Sequence, residues 1–113
     1  MSVDPARFRF VIWKGSTFSK RVQILDEDGL PLNLSGYTAN LVARTEPGGS
    51  VLLTLDTSSG ITLGGVNGTI DLFLSDEDTD AISWKSALYT LSLIDSGGNS
   101  GYVLYGPIRI KIV

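Results

Sequence analysis

Residues 60–82 read GITLGGVNGTIDLFLSDEDTDAI, and this stretch decides the fold class. Ile61, Thr62 and Leu63 make a short apolar strand that runs into Gly64-Gly65-Val66-Asn67-Gly68. Asn67-Gly68 between two apolar runs predicts a hairpin with a type I′ turn, which needs positive φ at both central residues. Beyond it Ile70, Leu72 and Leu74 fall on one face of a strand, with Asp71 and Phe73 on the other. Ser75-Asp76-Glu77-Asp78 then predicts one short helical turn near residues 76–82. Ser75 would cap its free amides, and Asp78 would take the place of the usual Glu of a capping box.

The same grammar of short alternating runs and turn residues extends to both sides. Residues 1–6 are polar, contain Pro5 and read as an N-terminal arm; residues 7–113 read as a single domain. Phe8, Phe10 and Ile12 alternate with Arg7, Arg9, Val11 and Trp13, which predicts a first strand with one buried face. A second strand is expected over residues 17–25, with Phe18, Val22 and Ile24 as an imperfectly spaced apolar set. Asp26-Glu27-Asp28-Gly29 is a turn, and Pro31 holds the link after it at a sheet edge. Residues 37–45 alternate cleanly, with Tyr37, Ala39, Leu41 and Ala43 on one side. Strands over residues 50–55 and 88–95 follow, the latter with Tyr89, Leu91 and Leu93 inward. The last strand, residues 102–113, is interrupted at Gly106-Pro107, where a bulge or a change of partner is expected. Seven to eight antiparallel strands separated by turns predict an all-β, immunoglobulin-like β-sandwich, although the Cys-Trp-Cys pattern of antibody domains is missing.

Composition narrows the function classes. The chain has 113 residues, 42% hydrophobic and 19% charged, which fits one folded domain and argues against disorder. A formal charge of −3 is too small to mark a nucleic-acid binder. Five of the nine basic residues, Arg7, Arg9, Lys14, Lys20 and Arg21, crowd the first 21 positions. They read as edge protection or as a surface for an acidic partner. There is no Cys for disulfide or thiolate chemistry and no His to shuttle protons or ligate a metal. The opening residues lack the apolar core of a signal peptide, and no run reaches the ~20 apolar residues of a membrane helix. Synthesis and assembly in a cytoplasm are expected.

The candidate chemistries each meet a simpler explanation. Asp26-Glu27-Asp28-Gly29 and Asp76-Glu77-Asp78-Thr79-Asp80 carry oxygen ligands of the kind calcium takes, but neither has the spacing of an EF-hand loop. A turn and an acid-rich helix start account for them. Paired carboxylates for a glycosidase have no cleft to mark them, and Ser or Lys nucleophiles have no activating base. The glycines at 64–68 lack the Lys-Ser/Thr of a phosphate loop. Trp13 and Trp84 remain as interface anchors, sugar-stacking platforms or core. Trp13 shares its strand face with Arg7, Arg9 and Val11, which favours exposure.

Four stretches in order carry a resemblance: KGSTF (residues 14–18), DEDGLPLNLSGYTANLVAR (26–44), GITLGGVNGTIDLFLSDEDTDAI (60–82) and ALYTLSLIDSGGNSGYVLYGPIRI (87–110). Together they resemble small tailed-bacteriophage virion proteins with an immunoglobulin-like domain, and are similar to the N-terminal domain of phage baseplate upper proteins. Asn33 stands where that pattern commonly has Asp. The resemblance implies a sandwich that builds or decorates a virion, without an active site or cofactor. It implies other virion proteins as partners, and symmetric copies such as trimers or hexamers. The expectation is an assembly module acting alone, without the downstream shaft or receptor-binding domain of the baseplate proteins.

The expectation is therefore a non-enzymatic virion structural protein at the tail, baseplate or fibre-attachment region, contacting partners through Arg7, Arg9, Trp13 and Lys14. Neither nucleic acid nor membrane is an expected partner. A head-decoration protein is the near alternative. A carbohydrate-binding module using Trp13, Trp84 and the tyrosines is the alternative from another class.

Overall fold

The apolar alternation of the sequence becomes two facing sheets in a computed structural model of the chain, which describes residues 5–113. The strands are β1 (Ala6–Arg7), β2 (Phe10–Trp13), β3 (Phe18–Gln23), β4 (Thr38–Arg44), β5 (Val51–Asp56), β6 (Ile61–Leu63), β7 (Thr69–Leu74), β8 (Ser86–Ile94) and β9 (Ser100–Lys111). One helix, α1 (Asp76–Asp80), links β7 to β8. The larger sheet runs β1-β9-β8-β4-β5, with β2 continuing β1 along the same side of β9. The smaller sheet runs β3-β7-β6. The chain crosses between the sheets repeatedly, and their inner faces meet in one core, which makes an immunoglobulin-like β-sandwich.

Alternation sets which side chains meet. Ala87, Tyr89, Leu91 and Leu93 of β8 face inward, as do Ala39, Leu41 and Ala43 of β4. Ile70, Leu72 and Leu74 of β7 meet them from the other sheet. The antiparallel register places Leu41 against both Leu55 and Leu91. α1 has the expected capping box: Ser75 Oγ accepts from the Asp78 amide at 3.1 Å, and Asp78 Oδ2 accepts from the Ser75 amide at 3.4 Å. Thr79, fully buried, ties this helix to the turn after β2. Its Oγ1 donates to the Ser16 carbonyl at 2.8 Å and accepts from the Gly15 amide at 3.1 Å.

Three expectations are corrected: the number and direction of the strands, the unbroken first strand, and the type of turn at Asn67-Gly68. Nine strands are present among the described residues rather than seven or eight, and two of them are not antiparallel. β1 and β2 pair with β9 in parallel, Ala6 opposite Leu104 and Trp13 opposite Lys111. The predicted first strand is also broken at Phe8-Arg9, so Phe8 leaves the core side and is 39% exposed. The Asn67-Gly68 turn is not type I′. Gly65–Asn67 form a 3-10 turn closed by left-handed Gly68, and among the described residues none other than glycine has positive φ. Gly65 takes the first left-handed position, so Asn67 is spared it. The expected N-terminal arm lies mostly outside the described residues, and Ala6 is already paired in β1.

The break between β1 and β2 coincides with the Gly106-Pro107 step of β9. β9 itself runs through without interruption, but its parallel partner changes there, from β1 up to Tyr105 to β2 from Ile108. Gly106 has φ 153°, and a Cβ at that position would lie 2.3 Å from the Phe8 carbonyl oxygen. Only glycine permits that approach.

Candidate docking face

The outward positions of the larger sheet carry the candidate site. In β9 these are Tyr105, Pro107, Arg109 and Lys111, opposite Thr90, Leu88 and Ser86 of β8 and flanked by Arg7, Val11 and Trp13 of β1 and β2. A sheet facing water normally shows polar residues here. This one instead leaves Tyr102 60% exposed and Tyr105 and Leu88 about two-fifths exposed. Tyr102 joins the same face because β9 slips register by one residue at its pairing with Leu91 and Ser92.

An open groove of about 530 Å³ lies over this apolar centre. Its floor is Val42, Leu88 and Pro107, its walls Tyr102 and Tyr105, and Arg7, Arg44 and Glu46 stand at the rim. Arg44 is held by donating to the Gly49 carbonyl at 3.1 Å, which fixes it beside the β4–β5 turn. A second, shallower groove of about 420 Å³ opens toward the far end of β9, between Arg9, Lys85, Arg109 and Lys111. Of the nine basic residues, two line the first groove and four the second, against one carboxylate, Glu46. The net negative charge of the chain thus conceals a basic face.

The four residues singled out in the sequence separate. Arg7 lines the apolar groove and Arg9 the basic one. Trp13, 47% exposed, stands on the same face opposite Lys111. Lys14 is diverted: its Nζ donates to the Ile82 carbonyl at 2.7 Å, so it closes the end of the sandwich beside α1. Trp84 packs partly buried against the core. As docking residues, Tyr102, Tyr105 and Leu88 were missed by sequence reasoning, which drew on the tyrosines only as sugar-stacking platforms. Their signal was available in the last two strands, as large apolar residues at positions the alternation turns outward.

The acidic stretches have local duties. Asp26 Oδ1 accepts from the amides of Asp28 and Leu30, which makes the first a turn. Asp76, Glu77 and Asp78 fill the first turn of α1, where carboxylates suit the helix dipole. Among the described residues no group of three or more Asp and Glu side chains converges as a metal site. Asp95 turns its loop in the same manner, accepting from Gly97 and Asn99, and those contacts hold its carboxyl below the usual range. Lys20 points toward the interior between Phe18 and Val22, at the open edge of β3. There its ammonium lies 4.9 Å from the Phe8 ring centroid.

No family model and no curated protein matches the sequence. Among solved structures the chain is similar to extracellular domains of the voltage-gated sodium channel beta4 subunit, determined as parallel homodimers. The identity is 16% over 98% of each chain, with a TM-score of 0.43. It is also similar to a voltage-gated sodium channel beta subunit studied for multimeric cell-adhesive interactions, 16% identical over 100% of this chain and 98% of that one, with a TM-score of 0.45.

Proposed function

We propose that the protein is a non-enzymatic structural module of a phage virion that docks a neighbouring virion protein on the outer face of its larger sheet. The observation that carries the docking is the apolar groove between Tyr102, Tyr105 and Leu88, on a face whose cations make no ion pair among the described residues. An apolar centre with a charged rim is the anatomy of a protein interface. The virion setting rests on the four-stretch sequence resemblance; the tail, baseplate or fibre-attachment region is the leading place, with head decoration as the near alternative. Symmetric copies follow from such a position.

The test is to carry Tyr105→Asp and Leu88→Asp into the phage and measure incorporation by mass spectrometry of purified particles. Both residues are about two-fifths exposed, so thermal unfolding of each variant is measured beside the parent to show that the fold is kept. Loss of incorporation with the fold intact supports the docking reading, and unchanged incorporation overturns it. Recovery of the protein on DNA-filled heads that lack tails would move it from the tail to the capsid surface.

A second reading draws on Tyr102 and Tyr105 as paired rings beside a groove, the surface a carbohydrate-binding module presents to a sugar. Retention on a glycan array that Tyr105→Ala abolishes would replace docking with sugar binding.

A further inference from the structure

Resting on the docking reading, we infer that the partner presents an extended, acidic polypeptide segment, laid along the outer face of β9 with its carboxylates over Arg9, Lys85, Arg109 and Lys111 and an apolar residue in the groove beside Tyr105.

Spacing, charge and continuity argue for this occupant. Tyr105, Pro107, Arg109 and Lys111 alternate along one strand face, so neighbouring side chains stand about 7 Å apart and the row spans roughly 20 Å. An extended chain has the same two-residue repeat, so it sets every second side chain against this row. The four cations of the shallow groove have no carboxylate partner among the described residues. Holding like charges together without counter-ions is unfavourable, and an anionic ligand relieves it. The apolar groove and the basic one are joined through Pro107 and Arg109, adjacent outward positions of β9.

A protein segment fits better than a nucleic acid. The phosphate backbone carries dense, continuous charge. Next to the basic end stands α1, with Asp76, Glu77, Asp78 and Asp80: the Lys14 amide donates to the Lys111 carbonyl, and Gly15, the next residue, donates to Thr79 of the helix. A short acidic segment avoids that helix, whereas a long polyanion meets it. The apolar half of the face offers phosphate only the rim guanidiniums of Arg7 and Arg44, with Glu46 beside them.

The experiment titrates the isotope-labelled full chain with a short synthetic peptide in which glutamates alternate with small residues after a leading leucine. Its lysine counterpart, a single-stranded oligonucleotide and heparin serve as comparisons. The expected result is amide shifts along β9 and its neighbours with the acidic peptide alone, weakening as salt rises. Arg109→Glu combined with Lys111→Glu should reduce affinity by about tenfold or more. Binding of the oligonucleotide or heparin in preference to the peptide, or no effect of the charge reversal, overturns the inference. A rise in solution mass that the charge reversal abolishes names a second copy as the occupant and overturns it too.

Particle incorporation separates this failure from that of the docking reading. If Tyr105→Asp blocks incorporation and the charge reversal does not, docking stands and the acidic partner falls. If both variants incorporate normally, both readings fall.

Discussion

The Tyr89 hydroxyl donates to the main-chain carbonyl of Phe8 at 2.6 Å, from a strand in the middle of the larger sheet to the break between its first two. The same carbonyl is the atom that a Cβ on Gly106 would strike, so one oxygen accepts from a tyrosine on one side and faces a bare backbone on the other. Around it Phe10 packs against Tyr89 with ring centroids 4.8 Å apart. This knot fixes where β1 ends and β2 begins, and with it the positions of Arg7 and Arg9 on the docking face.

Tyr89→Phe keeps the ring and removes the donor, leaving the Phe8 carbonyl without it in a partly buried place. Stability should fall by about 1–3 kcal/mol, read as a lower urea midpoint with an unchanged slope. The substitution also has a pH signature. Burial raises the Tyr89 hydroxyl well above the ordinary tyrosine value. The unfolded chain therefore releases this proton first, at about pH 10, and the folded chain only at higher pH. Stability is full below pH ~10 and falls as pH rises above it, at a limit of about 1.4 kcal/mol per pH unit from this group. Tyr89→Phe should flatten that alkaline decline.

Gly106→Ala should be worse than loss of the hydroxyl. Its φ of 153° and the 2.3 Å approach to backbone leave the new methyl no side chain to displace, so β1 or β2 must move off β9. A loss of about 2–4 kcal/mol is expected, with amide exchange rising first at Phe8 and Lys14, which bond to the backbone of β9.

Thr79→Val preserves shape in a fully buried site but removes both hydrogen bonds to the Gly15–Ser16 turn. The cost should be about 1–3 kcal/mol, with faster exchange of the Gly15 amide. Thr79→Ser, which keeps the hydroxyl, should recover most of the exchange protection.

Arg21 and Asp71 face each other across β3 and β7, with Nε 2.7 Å from Oδ1 and Nη2 3.0 Å from Oδ2. Hydrogen bonding from Arg21 holds the Asp71 carboxyl below its usual range. A depressed folded pKa contributes stability above the unfolded value of about 4, lost as pH falls through the folded value. Arg21→Ala should return Asp71 toward the ordinary titration range by NMR. The melting temperature at neutral pH should barely change, because the arginine is open to solvent.

Much of the core was legible because burial imposes a period of two. Tyr89, Leu91 and Leu93 on β8, and Ile70, Leu72 and Leu74 on β7, needed nothing beyond alternation. The Ser75–Asp78 box and the partner change at Gly106-Pro107 were legible for local reasons, a capping oxygen and a pair of sheet breakers. Strand direction was not, since alternation is the same for parallel and antiparallel pairing. Phe8 misled because it continues the alternation of Phe10 and Ile12, while the strand breaks at Phe8-Arg9 where Gly106 comes close to the Phe8 carbonyl. The docking face was half legible. Arg7, Arg9 and Trp13 stood out by charge and aromaticity near the start of the chain, whereas Tyr105 and Leu88 become a site only when β8 and β9 lie side by side.

The parallel seating of β1 and β2 on β9 also bears on how the molecule takes load. Because these strands point the same way, a pull on residues before Ala6 and an opposite pull on residues after Lys111 slide them along one another. The six register pairs from Ala6–Leu104 to Trp13–Lys111 then strain together instead of opening in turn. Tension between its two ends therefore meets the chain in shear, its stiff direction, whereas a sideways pull on β5 would peel that edge strand away one hydrogen bond at a time.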